Sequence, residues 1–367
     1  MQVDDSPCSP GPHWLAVAVP TPAHSGLGEP LTYRADTPLP PGSIVRVPLG
    51  AREVLGVVWG AADVPSPELQ ASVRPVAGAF EGLAPLADDW RRLIEFTARY
   101  YQRALGEVAL AALPPQLRTL DGTQMARRLK RQATTPTAIS ETPKTIALSA
   151  DQTSATARIE HETGPFLLFG ATGSGKTEVY MQAVERLLAR DATAQALVLV
   201  PEINLTPQLE ARFGERFGTQ AIVSLHSGLT PAQRLAAWLA AHAGRARIVL
   251  GTRVAVLASM PHLRLIVVDE EHDPSYKQQE GARYSARDLA VYRGHLEQVP
   301  VILGSATPSL ESWQRALDGR YRRLTLAQRI GQGAMPRVRL LDTHSLPRTR
   351  GVLLAVAAPL LDAMRQR

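Results

Sequence analysis

Cysteine, lysine and long apolar runs are scarce in this sequence. Its 367 residues include one cysteine, Cys8, so the chain closes no internal disulfide and builds no cysteine-ligated zinc cluster. No apolar run reaches the roughly 18 residues that a membrane span needs. The acidic, proline-rich start MQVDDSPCSPGPHW is unlike a secretory signal. These absences predict a cytoplasmic protein without a membrane partner.

Lysine is rare although basic residues are common. Only four of the 40 basic residues are lysines, namely Lys130, Lys144, Lys176 and Lys277. The formal net charge of +6 gathers in residues 116–150, with 6 basic against 2 acidic residues, and in residues 316–367, with 10 against 3. Because the excess is confined to a connector and a tail, total charge says little about partners, and the position of each lysine is more informative.

Proline and glycine divide the first 115 residues into short segments. Sixteen of the 29 prolines lie there, and the runs between them predict strands at 13–19, 30–35, 43–49 and 53–60. An amphipathic helix is predicted over Asp88–Leu105. We therefore expect a small, mostly β domain at residues 1–115. Residues 116–146 are polar, basic and threonine-rich, and are predicted to be a linker.

From residue 147 onward, apolar strands alternate with amphipathic helices. The strands are runs of Val, Ile and Leu, predicted at 165–170, 196–201, 221–227, 247–252, 263–270 and 300–306. Near-continuous apolar runs are typical of strands that are buried on both faces of a parallel sheet. The pattern predicts an α/β lobe over residues 147–330, with a doubly wound parallel sheet and helices on both faces.

The strongest motif is a glycine-rich loop between a predicted strand and a predicted helix, GATGSGKT at residues 170–177. Its glycines let the backbone turn so that N–H groups and a helix N-terminus face phosphates. Lys176 is expected to reach the β- and γ-phosphates of ATP, and Thr177 to offer its hydroxyl to Mg²⁺. The expected nucleotide-binding residues are Gly170, Ala171, Thr172, Gly173, Ser174, Gly175, Lys176 and Thr177.

An acidic box follows another predicted strand, in LIVVDEEHD at residues 265–273. Parallel sheets bind ligands at the carboxyl ends of their strands, so Asp269 is expected to hold Mg²⁺ and Glu270 to orient or deprotonate the attacking water. Lys176, Asp269 and Glu270 are thus the predicted catalytic residues. His272 is predicted to couple phosphate state to other elements, and Ser305 and Thr307 of GSATPS to hydrogen-bond to the acids.

Taken in order, the glycine-rich loop, DEEH and SAT resemble the first RecA-like lobe of a superfamily 2 DEAH-type helicase. The sequences VPEINLTPQ, LHSGLTPAQR, GTRVAVL and DEEHDPSYKQQEGARYSARDLAVYR narrow the resemblance to the primosomal protein N′ family of replication restart helicases. The resemblance implies an ATP-dependent, 3′-to-5′ DNA helicase that binds stalled forks and loads the replicative helicase. It also implies DNA, single-strand binding protein and other primosome proteins as partners, and ATP and Mg²⁺ as cofactors.

The resemblance also implies further contact residues. Gln152 would read the adenine, and the single-strand path would be lined by Pro201, Thr206, Gln208, Thr252 and Arg253. The loop Ser275–Arg287 would link DNA contact to hydrolysis. Its residue types suit that role independently, because aromatic rings stack on bases and cations meet phosphates. The expected DNA contacts in this loop are Tyr276, Lys277, Arg283, Tyr284 and Arg287.

The N-terminal domain resembles the 3′-DNA-end-binding domain of that family in PPGSIVRVPLG and YYQRALGEVALAALP. Tyr33 and Gly50 carry over from its pocket. Thr32 replaces an acid, and Gln70 stands roughly where the family has a lysine. End recognition is therefore expected to be weaker or differently built. The alternative is a β domain that mainly packs or binds protein.

Two departures from the family bear on activity. The connector is too short for the family's winged-helix domain, and residues 331–367 resemble only the start of a second lobe. Zinc is expected for the full-length family, but this chain has no ligands for it. We expect weak binding of ATP and DNA and slow hydrolysis from this chain alone. The alternatives are an ATP-independent fork-binding module and, less favoured by DEEH and SAT, another P-loop enzyme such as a kinase.

Overall fold

The computed structural model describes residues 12–21, 30–133, 147–202 and 207–330. The chain divides into two compact units, residues 1–330 and 331–367, and every described residue belongs to the first. The predicted start of a second lobe therefore lies outside the described residues, as do Cys8, Lys144 and Thr206. No helix among the described residues is long and apolar enough to cross a membrane.

An antiparallel sheet forms the N-terminal part, as the proline-punctuated pattern predicts. Its elements are β1 (His13–Ala18), β2 (Leu31–Ala35), β3 (Ile44–Leu49), β4 (Arg52–Ala61), the one-turn helix α1 (Pro67–Gln70) and β5 (Gly78–Ala79). The strand order is β2-β1-β4-β3-β5. Leu49 pairs with Arg52 across a two-residue turn, where Gly50 adopts a φ of +62°. Tight hairpins need such a positive φ, which glycine adopts without strain.

Two helices replace the single helix predicted over Asp88–Leu105. They are α2 (Asp88–Tyr100) and α3 (Leu105–Ala111). The first ends where Gln102 takes a φ of +53° and the N–H of Arg103 bonds to the carbonyl of Ala98 at 2.8 Å. Such a left-handed residue terminates a helix, and a periodic apolar pattern does not reveal it.

The segment predicted to be a linker is partly folded. A 3₁₀ turn covers Pro115–Arg118 and α4 covers Gly122–Ala133. Leu117 and Met125 are fully buried in the same core as the residues of α2 and α3. The opposite side of α4 exposes Arg127, Arg128 and Lys130. The apolar residues of this segment are few and stand among many basic ones, so the sequence shows no clear helical periodicity and predicts a linker. The predicted domain limits remain predictions.

The second part is a seven-stranded parallel sheet, which confirms the predicted fold class. Its strand order is β12-β6-β11-β10-β7-β9-β8. The elements in chain order are α5 (Ala150–His161), β6 (Phe166–Gly170), α6 (Lys176–Arg190), β7 (Gln195–Leu199), α7 (Pro207–Phe217), β8 (Ile222–Leu225), α8 (Pro231–His242), β9 (Ile248–Gly251), β10 (Leu263–Val268), α9 (Ala286–Leu296), β11 (Val301–Ser305), α10 (Leu310–Leu317) and β12 (Arg322–Leu326).

Both faces of this sheet are covered. Neighbouring residues of one strand alternate between two hydrophobic clusters, so that Ile266 and Val268 join one cluster while Leu265 and Val267 join the other. One cluster contains residues of α8, α9 and the N-terminal helices, and the other contains residues of α5, α6 and α7. Side chains of a strand point alternately to opposite faces, so each cluster marks one buried face.

The N-terminal helices pack directly against the lobe. The indole Nε1 of Trp90 donates to the carbonyl of Leu257 at 2.8 Å, and the Nε2 of His242 lies 2.8 Å from the carbonyl of Ala84. The ring of Phe96 stacks on that of Tyr292. Because buried polar groups need partners, these paired groups fix the two parts in one body.

Candidate functional site

The glycine-rich loop lies between β6 and α6, as predicted. Gly173 and Gly175 have φ angles of +83° and +82°, a region that side-chain-bearing residues rarely adopt. At Gly175 a Cβ would also lie 2.4 Å from the amide nitrogen of Gln152. The backbone conformation therefore requires glycine at positions 173 and 175. Directly after them the chain enters α6 at Lys176.

A cavity of about 440 Å³ opens at this turn. The Nζ of Lys176 donates to the carbonyl of Gly170 at 3.1 Å and lies 3.7 Å from a carboxylate oxygen of Glu270. The hydroxyl of Ser174 is buried and has no hydrogen-bond partner among the described residues. The residues around the cavity are Ala147, Gln152, Thr172, Gly173, Gly175, Lys176, Thr177, Glu178, Arg212, Asp269, Glu270 and Ile330.

This cavity fits a nucleotide with its divalent cation. The N-terminus of α6 and the ammonium group of Lys176 favour phosphate groups at this cavity. Thr177 and Asp269 provide the oxygen ligands that Mg²⁺ prefers, on adjacent walls of the same cavity. Burial, and then the neighbouring Glu270, raise the pKa of the Asp269 carboxyl, while Tyr180 and Lys176 oppose that rise. A cation beside Asp269 would relieve the same repulsion.

The acidic box follows β10 directly, with its two acids at the carboxyl edge of the sheet as predicted. Glu270 adopts a φ of +44°, which is unusual for a residue with a side chain. That conformation lets the N–H of Glu270 donate to Oδ1 of Asp269 at 3.1 Å. Oδ1 also accepts a hydrogen bond of 3.0 Å from the hydroxyl of Tyr180. Strained backbone of this kind is typical of functional sites.

The predicted coupling residues lie together, but they contact each other in a different way. Ser305 Oγ lies 2.8 Å from Nδ1 of His272, and Thr307 Oγ1 lies 3.3 Å from its Nε2. The prediction that both hydroxyls bond to the two acids is therefore wrong, because the imidazole stands between them. His272 Nδ1 also lies 3.6 Å from a carboxylate oxygen of Glu270. The histidine connects β11 to the acidic box.

Gln152 lines the cavity from the first turn of α5. Its amide nitrogen donates to the carbonyl of Gly175 at 3.2 Å, and its amide oxygen accepts from the N–H of Ser149 at 2.9 Å. The second bond belongs to a capping box with Ser149. Gln152 thus holds the start of α5 against the glycine-rich loop, and its predicted contact with adenine remains a prediction.

The predicted single-strand path follows the ends of β7 and β9. Pro201 and Thr252 are buried there, and the hydroxyl of Thr252 has no partner among the described residues. Arg253 donates to the carbonyl of Ser275 at 3.1 Å and lies 3.9 Å from the carboxylate of Glu202. Gln208 is exposed at the start of α7. Adjacent strands bring these residues to one edge of the sheet, beside the acidic box.

The two loop tyrosines are buried, which corrects the prediction that they stack on bases. Tyr276 is 2% exposed and its hydroxyl lies 2.6 Å from the carbonyl of Asp269. Tyr284 is 8% exposed and its hydroxyl lies 3.5 Å from the carbonyl of Arg253. Stacking needs an accessible ring face. In this structure both rings anchor the loop instead, one beside the acidic box and one beside the single-strand path.

The loop cations divide into two kinds. Lys277 and Arg283 are exposed, and the Nζ of Lys277 lies 5.3 Å from the ring centre of Tyr101. Arg287 instead bonds to the carboxylates of Glu271 at 3.3 Å and Asp288 at 2.9 Å. The prediction that Arg287 contacts phosphates does not fit these internal bonds. The predicted contacts of Lys277 and Arg283 with DNA remain predictions.

The N-terminal pocket residues also have internal roles. Tyr33 is 4% exposed and donates to the carbonyl of Pro48 at 3.0 Å. Burial raises the pKa of its phenol. Gly50 forms the β3–β4 turn, and Arg74 donates to its carbonyl at 2.6 Å. Thr32 is exposed beside Tyr33. Tyr33 is therefore not accessible to a DNA end in this structure, and contact would require its side chain to become exposed.

Three residues that the sequence analysis did not assign are central to the site. Tyr180 holds Asp269, as described above. Glu271 is 1% exposed, and its carboxylate accepts bonds from Ser309, Ser312 and Arg287. Tyr101 accepts a bond of 3.0 Å from the N–H of Ser285 at the end of the loop. For Glu271 a signal existed, because a third acid in DEEH had no assigned role.

Comparisons with known proteins agree with this geometry. A family model for DEAD/DEAH box helicases matches residues 149–316, and a model for a 3′DNA-binding domain matches residues 16–114. The chain is 33% identical to the replication restart protein PriA of Haemophilus influenzae over 427 residues, covering 96% of this chain and 56% of the relative.

Two further PriA proteins are similar over shorter regions. For Treponema pallidum the identity is 38% over 82% of this chain and 45% of the relative. For Bacillus subtilis it is 48% over 50% of this chain and 22% of the relative. The chain thus spans about half, or less, of the length of these relatives. The chain is therefore similar to PriA proteins over most of its length, and it carries regions that match a 3′DNA-binding domain and a DEAD/DEAH box helicase domain.

Proposed function

We propose that this chain supplies the nucleotide-binding and DNA-binding parts of a replication restart helicase, which uses ATP hydrolysis to move 3′ to 5′ along DNA. The observation that carries the proposal is the convergence of Lys176, Thr177, Asp269 and Glu270 on one cavity at the carboxyl edge of the sheet. The relatives' printed name, replication restart protein, supports the biological process.

Each side chain has a defined task in this reaction. Lys176 would hold the β- and γ-phosphates at the N-terminus of α6, whose positive dipole end favours them. Thr177 and Asp269 would hold Mg²⁺, whose contribution when bound is to neutralise phosphate charge. Glu270 orients the attacking water and accepts its proton. His272, bonded to Ser305 and near Glu270, is placed to report the state of the site to β11.

DNA is the proposed partner of the neighbouring edge of the sheet. Arg253, Lys277 and Arg283 would supply the cations, and Gln208 is exposed at the start of α7. Forked DNA, single strands and 3′ ends are the proposed substrates. Single-strand binding protein and other primosome proteins are proposed partners in a cytoplasmic setting. Phosphate contacts of this kind give binding that weakens steeply with salt.

Replacing Lys176 by alanine tests the proposal. The Lys176→Ala chain should bind a fluorescent ATP analogue about 10- to 100-fold more weakly, as expected for loss of a charge-assisted contact, and should lose the slow ATP hydrolysis expected of the wild-type chain. Lys130→Ala is the matched control, because Lys130 is exposed on α4, outside the cavity. If nucleotide binding survives in Lys176→Ala, the proposal fails. If the wild-type chain binds forks but neither binds nor hydrolyses ATP, the ATP-independent module is the better description.

A further inference from the structure

Tyr180 stands between three motifs of the site. It lies on α6, four residues after Lys176 and three after Thr177, so its side chain is on the same helix face one turn further on. The residue is 1% exposed. Its hydroxyl donates to Oδ1 of Asp269 at 3.0 Å. A residue of the glycine-rich-loop helix therefore contacts the acidic box directly.

Gly304 makes room for this hydroxyl. A Cβ at Gly304 would lie 1.5 Å from the hydroxyl oxygen of Tyr180 and 2.7 Å from the ring carbon that carries it. Gly304 belongs to β11, the strand between β6 and β10, and directly precedes Ser305. Any side chain at this position would displace the phenol. Gly304 does not adopt a positive φ, so backbone conformation does not explain a glycine here. The close approach of the Tyr180 hydroxyl does.

The hydroxyl needs an explanation beyond packing. A buried hydroxyl costs free energy unless it finds a partner, and phenylalanine would fill the same space without that cost. The single phenolic hydrogen is directed to a carboxylate oxygen. Oδ1 of Asp269 thus has two donors, Tyr180 and the N–H of Glu270, whereas no described residue hydrogen-bonds to Oδ2. Two bonds on one oxygen fix the carboxylate plane and leave the other oxygen free.

We propose that Tyr180, seated by Gly304, is a positioning residue that holds the Asp269 carboxylate in the orientation that binds the divalent cation of the nucleotide. The inference rests on the proposed function, since it concerns the same site. Groups that orient a metal ligand typically contribute 10- to 100-fold to metal affinity, about the effect expected here. Removing only the hydroxyl should therefore weaken cation binding and leave the protein folded.

Manganese binding tests this role without relying on catalysis. Mn²⁺ would be titrated into the full chain with ADP and followed by electron paramagnetic resonance. Tyr180→Phe should raise the Mn²⁺ concentration for half-saturation by about 10- to 100-fold. Tyr321→Phe is the matched control, because Tyr321 is also a buried tyrosine of this lobe, with its hydroxyl bonded to Arg315. Its half-saturation should stay at the wild-type value.

The outcomes separate the two proposals. An unchanged half-saturation in folded Tyr180→Phe would overturn the positioning role and leave the proposed function intact. Absence of ADP-dependent Mn²⁺ binding in the wild-type chain would overturn both. Gly304→Ala provides a second route, because its methyl group displaces the hydroxyl while Tyr180 stays in the sequence; weakened Mn²⁺ binding with the fold retained would support the role. If Gly304→Ala does not fold, Tyr180→Phe alone decides.

Discussion

The cavity at the glycine-rich loop and the loop Ser275–Arg287 lie side by side, yet they use polar side chains differently. Around the cavity, the hydroxyl of Thr177 has no hydrogen-bond partner among the described residues, and Lys176 has only a backbone carbonyl within hydrogen-bond distance. In the loop, Tyr276 and Arg287 bond to other parts of the protein. Unpaired polar groups in a cavity are available to a ligand, whereas paired ones hold the structure together.

The contacts of the loop show what it holds together. Tyr276 reaches the backbone of Asp269, Arg287 reaches Glu271, and the N–H of Ser285 reaches Tyr101 of the N-terminal part. The loop is therefore tied to the acidic box at one end and to the N-terminal helices at the other. The cavity at the glycine-rich loop thus leaves polar groups available to a ligand. The loop Ser275–Arg287 uses its polar groups to connect the acidic box to the N-terminal helices.

The largest effect should come from removing the ring of Tyr276. Tyr276→Ala should lower the free energy of unfolding by about 3–5 kcal/mol, as for other buried aromatic side chains, while Tyr276→Phe should cost about 1 kcal/mol for its hydrogen bond. Urea denaturation would measure both. If Tyr276→Ala instead keeps its stability and loses only affinity for single-stranded DNA, the ring serves as a stacking platform and the comparison breaks down.

A smaller effect is expected at Glu271. Its carboxylate accepts four hydrogen bonds at the start of α10, from the N–H and hydroxyl of Ser309, the hydroxyl of Ser312 and the guanidinium of Arg287. Glu271→Gln should lower the free energy of unfolding by about 2 kcal/mol, because the amide cannot accept at both positions and Arg287 loses one of its two carboxylate partners.

Glu311→Gln is the control for that measurement, since Glu311 is exposed in the first turn of the same helix. Its effect on urea denaturation should be within about 0.5 kcal/mol. Equal stability of the two variants would contradict the view that Glu271 joins the loop to the acidic box. A large loss confined to Glu271→Gln would sharpen it.

The smallest effect is a change in alkaline stability at Tyr284. Burial raises the pKa of its phenol to about 12, above the ordinary value of 10. Its contribution to stability is complete below about pH 10 and is lost as the pH rises to about 12, because the unfolded chain ionises first. Tyr284→Phe should therefore lose less stability than the wild type across that window in urea titrations. Tyr100→Phe, at an exposed ring, should match the wild type; identical curves for all three would show that Tyr284 is not buried in solution.

The fold and the position of the candidate site were largely predictable, because backbone geometry restricts which residues can stand in the strands and in the glycine-rich turn. Apolar runs mark strands of the buried sheet, and the glycines of GATGSGKT are needed at fixed positions of one local turn. The acids after β10 fall at the carboxyl edge by chain direction alone. The predicted linker was less accurate, since Met125 finds its core only through contacts with distant helices.

DNA contacts were harder to predict from the sequence, because residue type does not reveal where a side chain points. Tyr276, Tyr284 and Arg287 have the chemistry of nucleic-acid contacts, but the same chemistry also suits buried anchors. Which use prevails depends on neighbours far away in sequence, such as Leu199 for Tyr276 and Ser309 for Arg287. No local pattern contains that information.

The sequence by itself determined the α/β lobe, the position of the glycine-rich turn and the pair of acids beside it, because each follows from local backbone requirements and strand direction. Only the tertiary structure decided that Tyr180 meets Asp269 through the space left by Gly304, and that Glu271 accepts hydrogen bonds from Ser309 and Ser312 at the start of α10. The residues in these contacts are far apart in sequence. Tyr180 is 89 positions from Asp269 and 124 positions from Gly304, and Glu271 is 38 positions from Ser309. A buried polar side chain must find a hydrogen-bond partner among the groups that the fold brings next to it. The spacing of residues in the sequence does not show which groups those are.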